Sequence, residues 1–149
     1  MDLILRVKEF YLLELLQLKM YETQLDSLEN DYVRHAYERM IELEQGHVEF
    51  YKNYLIENNI DIPTIPGGLM ALAGKFIGKS LDLTSADNRY KLGAAVETKA
   101  IEMYHAFILE TWDDPNFNRR LWHNMIDEEL HLLWFKDNQK SFISSKKYI

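Results

Sequence analysis

The distribution of glycine and proline constrains the fold of this chain more than any other feature of its sequence. Of three prolines and six glycines, most lie between Pro63 and Gly78, which leaves a long stretch on each side with few helix breakers. Apolar residues recur at helical spacing through both stretches, for example at Tyr11, Leu18 and Leu25. Short polar segments divide each stretch in two. The pattern predicts four helices, at about residues 2–28, 31–58, 87–112 and 116–140.

The connection between the second and third helices, about residues 60–86, is too long for a simple turn. Its apolar residues Leu69, Leu72, Phe76 and Leu83 are interspersed with charged ones, so we expect a short amphipathic helix there. Two short-loop helix pairs joined by one long crossover are typical of the ferritin-like four-helix bundle. We therefore predict an all-α protein with this architecture and a single domain, residues 1–149.

Four glutamates fall on the apolar faces of the predicted helices, where a carboxylate is out of place. There is one on each helix: Glu14, Glu44, Glu97 and Glu128. Glu44 and Glu128 are each followed three residues later by a histidine, His47 and His131, and residues at this spacing share a helix face. The chain therefore contains, in order, Glu, Glu-x-x-His, Glu and Glu-x-x-His.

These six residues also lie at matching heights along the predicted helix pairs. In an antiparallel pair, residues equally far from the turn lie level with each other. The midpoint between Glu14 and the Glu44–His47 pair falls at about residue 30, inside SLEND, and the midpoint in the second half falls at about residue 113, inside DDPN. The halves match as a diverged repeat with an offset of about 83 residues.

Divalent metal ions would make four carboxylates tolerable in one core. A buried ionised carboxylate without a partner costs several kcal/mol, whereas two divalent ions balance four glutamates and two neutral imidazoles add no charge. The arrangement is that of di-iron and di-manganese carboxylate proteins, and the ligand types alone do not separate iron from manganese or zinc. The competing interpretation is a purely structural bundle.

Other side chains that could carry chemistry are less distinctive. Tyr21 and Tyr104 follow Glu14 and Glu97 by seven residues, so each phenol leans back toward the level of a glutamate. Hydrogen bonding to the ligands, electron transfer and plain core packing all stay open for them. Three tryptophans, Trp112, Trp122 and Trp134, are expected to pack or to form pocket walls. We expect the remaining acids in solvent and the remaining histidines not to bind metal: Glu22, Glu42, Glu102, Asp127, Glu129, His35, His105 and His123.

Composition excludes several other functions. The formal net charge of −7 argues against a general nucleic-acid binder, which would show a basic face. The absence of cysteine excludes disulfides, thiolate metal sites and cysteine nucleophiles. The start of the chain is rich in leucine but interrupted by charged residues, so we expect neither a signal peptide nor a spanning helix. We predict a cytoplasmic protein.

The six residues stand in stretches that share a wider pattern with one family. The stretches are ELLQLKMYETQ with Glu14, Tyr21 and Gln24, ELEQGHVEFY with Glu44 and His47, AVETKAIEMYHAFI with Glu97 and Tyr104, and IDEELHLLWFKDN with Glu128 and His131. Together with the crossover segment PGGLMALAGKFIGKSL, they resemble the demethoxyubiquinone hydroxylases of ubiquinone biosynthesis, in the ferritin-like di-iron superfamily. The resemblance implies two iron ions that activate O₂ to hydroxylate a lipophilic quinone. Around Glu14 that family has small residues, glycine and alanine, where this chain has Leu15, Leu16 and Gln17, so we expect a quinone pocket that is either filled or reshaped.

We therefore predict a dinuclear-iron oxidoreductase of the monooxygenase type, with a small hydrophobic substrate, O₂ and an external electron donor. One alternative is a rubrerythrin-like reductase of peroxide or O₂, although rubrerythrins add a glutamate where this chain has Ala100. The other alternative is non-catalytic, ferritin-like iron binding or storage. Further expectations are peripheral contact of residues 66–83 with the inner face of the membrane, and a homodimer.

Overall fold

The computed structural model describes residues 2–28, 30–65 and 85–146, and of residues 140–146 the backbone alone. These ranges contain four α-helices and no strand: α1, Leu3–Leu25; α2, Asp31–Glu57; α3, Ala86–Glu110; and α4, Pro115–Lys146. The prediction of an all-α protein with four helices is confirmed. The predicted ends lie within three residues of the observed ones, except that α4 runs six residues past position 140. The short helix predicted in the crossover falls within residues 66–84, outside the described residues.

The residue that precedes each helix caps it: its side chain accepts a hydrogen bond from a backbone N–H of the first turn. That N–H has no partner within the helix. The accepting residues are Asp2, Asn30, Ser85 and Asp114, at distances of 3.1–3.2 Å. Pro115 follows Asp114 directly, at a position where its missing N–H costs nothing. At the end of α2, Asn59 has a φ of 56°, in the left-handed region that asparagine tolerates, and Ile60 N–H donates to the carbonyl of Leu55.

The first two helices form an antiparallel hairpin. Three buried contacts run along it: Phe10 with Tyr51, Glu14 with His47, and Gln24 with Tyr37. From one contact to the next, the residue number rises along α1 by four and then by ten, and it falls along α2 by the same amounts. This is the register of two antiparallel helices. In the last contact the Tyr37 hydroxyl donates to Gln24 Oε1 at 2.8 Å.

The last two helices form a second antiparallel hairpin with the same kind of register. Its contacts are Gly93 with Phe135, Glu97 with His131, and Tyr104 with Asn124. At the first of these, a Cβ placed on Gly93 would lie 2.5 Å from the Phe135 ring, closer than real Cβ atoms come. Glycine at position 93 is therefore what allows Phe135, which is fully buried, to pack directly on the backbone of α3.

The chain forms two compact units, of which the first contains α1 and α2 and the second contains α3 and α4. The single domain predicted from the sequence stays a prediction. Within residues 2–28, 30–65 and 85–146, none of the helices combines the length and the apolar character that crossing a membrane requires.

Candidate metal centre

Glu14 of α1 and Glu44 and His47 of α2 form a buried cluster in the first hairpin, named the first triad. Both glutamates are fully buried, and His47 is 1% exposed. His47 Nδ1 lies 3.2 Å from Glu14 Oε2 and 3.4 Å from Glu44 Oε2. One donor atom of each side chain lies within 4.8 Å of the other two. The three predicted ligands of this half of the chain are therefore brought together.

Glu97 of α3 and Glu128 and His131 of α4 form the second triad, in the second hairpin. Again both glutamates are fully buried, and His131 is 4% exposed. His131 Nδ1 lies 3.5 Å from Glu97 Oε1 and 3.6 Å from Glu128 Oε2, and the three donor atoms lie within 4.8 Å of one another. This hairpin also unites its three predicted ligands.

The two triads are built in the same way. In each, the imidazole approaches one carboxylate from the neighbouring helix and one from three residues earlier in its own helix. The triads are also equivalent in sequence, since 83 residues separate Glu14 from Glu97 and 84 separate His47 from His131. The diverged repeat predicted from the sequence thus extends to the geometry of the two clusters.

Burial disfavours the ionised form of Glu97 in the second triad. It raises the pKa of Glu97 well above its usual range, and the neighbouring Glu128 raises that pKa further, by its charge and by a side-chain hydrogen bond. His131 lowers the same pKa, but to a smaller extent. Two bare carboxylates are thus disfavoured at this place, and the triad gains stability from a bound proton or a bound cation.

Each donor set fits one divalent metal ion. Bonds from such an ion to carboxylate oxygen or imidazole nitrogen are about 2.0–2.2 Å long, so two ligands of one ion lie at most about 4.4 Å apart. The donor atoms of each triad lie within 4.8 Å of one another, a limit that exceeds that value by no more than a small side-chain adjustment. Two glutamates and a neutral histidine carry a charge of −2, which one divalent ion balances. Iron, manganese and zinc all accept these ligand types.

Tyr21 and Tyr104 are fully buried at equivalent places, two helical turns beyond Glu14 and Glu97. Tyr21 packs edge-to-face against Tyr37, with ring centroids 5.7 Å apart. The Tyr104 hydroxyl accepts a hydrogen bond from Asn124 Nδ2 at 3.1 Å. Core packing is therefore observed for both tyrosines, and a role beside the metal ligands stays a prediction.

Three buried amides were not predicted from the sequence: Gln17, Gln24 and Asn124. Gln17 follows Glu14 by three residues and therefore shares its face, at the place that Ala100 takes relative to Glu97. A signal for these amides exists, since each lies at helical spacing from a triad glutamate. An uncharged amide among apolar residues is less conspicuous than a carboxylate, however, so this signal is weak.

The residues expected to lie apart from the site do so. Exposed are Glu42, Glu102, Glu129, His35, His105 and His123, and half-buried are Glu22 and Asp127. Of the two roles predicted for the tryptophans, packing is wrong for Trp112 and Trp122, which are 78% and 44% exposed, and a place in a pocket wall stays a prediction. Trp112 lies beyond the end of α3, and Trp122 faces away from the buried side of α4. Trp134 does pack, edge-to-face on Tyr90.

Comparisons with protein-family models, with curated proteins and with solved structures found no match to this chain.

Proposed function

We propose that the protein binds two iron ions, one at each triad, as a single dinuclear centre that activates O₂ to hydroxylate a hydrophobic, quinone-like substrate. The observation that carries the proposal is the repetition of one fully buried Glu₂His cluster in both hairpins. In ferritin-like di-iron proteins, a Glu from each of two helices and a Glu-x-x-His from each of the other two project into one core. The proposal therefore includes a ferritin-like four-helix bundle.

Charge balance supports two ions over one. Four buried carboxylates carry a charge of −4, and a single divalent ion would leave two of them uncompensated. Since breaking the compensation of a buried charge costs about 3–5 kcal/mol, the chain is most stable with both triads loaded. The six protein ligands leave coordination positions for small molecules, as catalytic metal sites require.

The chemistry divides between the metal and the chain. Bound iron supplies the redox couple that reduces O₂, and hydroxylation consumes O₂, two electrons and two protons to give the hydroxylated product and water. The glutamates hold and orient the ions and compensate their charge, and the two imidazoles bind as neutral ligands. Full burial of the carboxylates excludes bulk water from them. The electrons come from an external donor.

The hydroxylase assignment rests on two observations. Ala100 is fully buried one turn after Glu97, so the position at which rubrerythrins carry a further glutamate holds no ligand. The stretches around the six ligands resemble the demethoxyubiquinone hydroxylases, and this resemblance supplies the quinone class of the substrate. Contact of residues 66–83 with a membrane surface belongs to the same proposal.

The experiment is to load the metal-free protein with Fe(II) without oxygen, add a chemical reductant and a short-chain quinone, and admit isotopically labelled O₂. We expect a quinone product that contains one labelled oxygen atom. Glu97→Ala should abolish the product. Glu102→Ala should leave it unchanged, because Glu102 lies on the same helix but is exposed and pairs with Lys99 at 3.3 Å.

Other outcomes separate the alternatives. Consumption of O₂ or peroxide with no label in the quinone would contradict a hydroxylase and support a scavenging reductase. Uptake of many irons per chain would support storage.

A further inference from the structure

The outer face of α4 carries a row of exposed apolar side chains. Its members are Trp122, Ile126, Leu130 and Leu133, which are 44–57% exposed. They recur every three or four residues and therefore form one line along the helix, on the side opposite Glu128 and His131. This line is named the α4 stripe.

The first hairpin shows that the fold does not require such a stripe. The equivalent positions of α2, 84 residues earlier, hold Glu38, Glu42, Gly46 and Glu49. Polar and charged side chains cover that face, among them Arg39, which pairs with Glu42, and His35, which hydrogen-bonds to Glu38. Because α2 and α4 occupy the same place in their hairpins, the apolar face is particular to α4. A contiguous apolar row on a surface marks an interaction site.

A groove lies beside the stripe, between α3 and α4, with a volume of about 310 Å³. Its apolar lining is Ile101, Leu132 and Leu133, and the charged residues Glu129 and Lys136 complete it. Trp122 precedes Glu129 by seven residues, or two turns, so the indole stands on the same edge of α4 as the groove.

We propose that a second copy of this chain docks on the α4 stripe, with the two α4 helices antiparallel about a two-fold axis level with residues 127 and 128. A two-fold axis of this kind brings the same edge of both α4 helices into contact. Because the helices are antiparallel, a residue before the axis on one helix faces a residue after it on the other. The midpoint of the stripe sets the axis, and it places Trp122 level with Leu133 of the partner subunit. Each indole then enters the groove of the other chain, so the contact is made twice.

The groove suits an indole. Burying a large aromatic side chain removes about 150–250 Å² from water, and tryptophan is one of the residue types enriched among the side chains that contribute most to interface affinity. Lys136 at the groove can stack its ammonium on the face of an indole.

Charge supports a second copy as the occupant. The stripe is bracketed by Arg119 and Asp137, both exposed. They are 18 residues or five turns apart, so both lie on its line. The axis that seats Trp122 also brings Arg119 to within one residue, about 1.5 Å, of the level of Asp137 of the partner subunit, which gives two ion pairs per dimer.

The test is the oligomeric state of the full chain, measured by analytical ultracentrifugation over a wide concentration range. We expect a monomer–dimer equilibrium, and both Trp122→Ala and Leu133→Glu should raise the dimer dissociation constant at least tenfold. Trp112→Ala is the matched control: it removes a tryptophan that is more exposed but lies off the stripe, and it should leave the constant unchanged. Circular dichroism checks that each variant is folded.

A charge exchange tests the register. Arg119→Asp and Asp137→Arg should each weaken the dimer, and the double variant should restore it. A monomer at all concentrations, or a dimer insensitive to Trp122→Ala and Leu133→Glu, overturns the proposal. So does a monomer whose flotation with phosphatidylcholine–phosphatidylglycerol vesicles is lost in Trp122→Ala, since the stripe would then serve a lipid surface.

Discussion

At the scale of single residues, the carboxylates of the two triads dominate the energetics of the site. Glu14, Glu44, Glu97 and Glu128 are all fully buried. An ionised carboxylate in such surroundings loses its hydration, and a nearby cation compensates for that loss. Ligand binding and protein stability are therefore linked through the same atoms, and both can be measured on variants of one residue.

Glu97→Gln should stabilise the metal-free protein at neutral pH. The amide resembles the protonated carboxyl in shape and carries no charge to desolvate, so we expect a gain of about 1–3 kcal/mol in the free energy of unfolding. Denaturant titration measures it. The control Glu102→Gln, at an exposed position of the same helix, should change stability by no more than about 0.5 kcal/mol. A loss of stability in metal-free Glu97→Gln would contradict this account.

The stability of the metal-free protein should also depend on pH through Glu97. Its pKa is raised in the folded state, so between about pH 4.3, the usual value for glutamate, and that raised pKa the folded chain holds a proton that the unfolded chain has lost. This contribution to stability is present at low pH and falls as pH rises through the window. The difference between wild type and Glu97→Gln should therefore be small near pH 4 and widen toward pH 8. A stability difference between wild type and Glu97→Gln that narrows with rising pH would contradict a raised pKa of Glu97.

The six candidate ligands could be predicted from sequence because a charge on an apolar face is conspicuous and the Glu-x-x-His spacing fixes a shared face. Gln17 and Asn124 could not be recognised with the same ease, since an uncharged amide interrupts an apolar face less sharply. The hydrogen bond from Asn124 Nδ2 to the Tyr104 hydroxyl depends on the register of two helices to within one residue. That precision lies beyond a pattern of apolar residues.

At the scale of helices, each hairpin holds its triad by keeping one antiparallel register over its length. The short polar turns set that register. For this reason the sequence could predict that Glu14 lies level with His47 and that Glu97 lies level with His131. The buried face of α3 is predicted less well. Ala94 and Ile101, which the periodicity assigns to the core, are half-buried, while Gly93 and Ala100 are buried. Small residues mark a close helix approach but add little hydrophobicity, so the periodic signal misses them.

Gly93→Ala should destabilise the second hairpin. The new methyl group would meet the Phe135 ring at 2.5 Å, and overpacking of a core costs about 1–3 kcal/mol. Gly46→Ala is the matched control, since Gly46 lies on the outer, polar face of α2 and alanine there should stabilise the helix by up to about 1 kcal/mol. Thermal unfolding of both variants measures the contrast. Equal effects of the two substitutions would show that Phe135 yields without cost.

At the scale of the whole molecule, the proposed metal binding would be coupled to folding. An ion that binds only the folded chain adds about 2.7 kcal/mol of stability per site at a free concentration of 100 times its dissociation constant. For a chain of 149 residues this corresponds to a rise in Tm of about 5–10 °C per site. Calorimetry with and without Fe(II) or Mn(II) should show this rise. It should be halved in Glu97→Ala, which removes one triad, and unchanged in Glu102→Ala.

The four helices and both triads can be predicted from short-range patterns in the sequence, whereas the reaction and its substrate cannot. Hydrophobic period and turn residues predict the four helices, but the end of α4 is misplaced because no breaker occurs after position 140 in the sequence. The α4 stripe is hidden in the sequence because an apolar residue is assigned to a core by default. The substrate depends on pocket shape, which a pattern of single residues does not encode.

An anaerobic Fe(II) titration followed by Mössbauer spectroscopy tests whether the two triads hold two ions as one centre. We predict two irons per chain, magnetically coupled after oxidation, and one uncoupled iron in His131→Ala. Glu102→Ala should bind as the wild type does. Fewer than about one iron per chain, unchanged by loss of a triad residue, would contradict the account, and so would two irons that show no coupling.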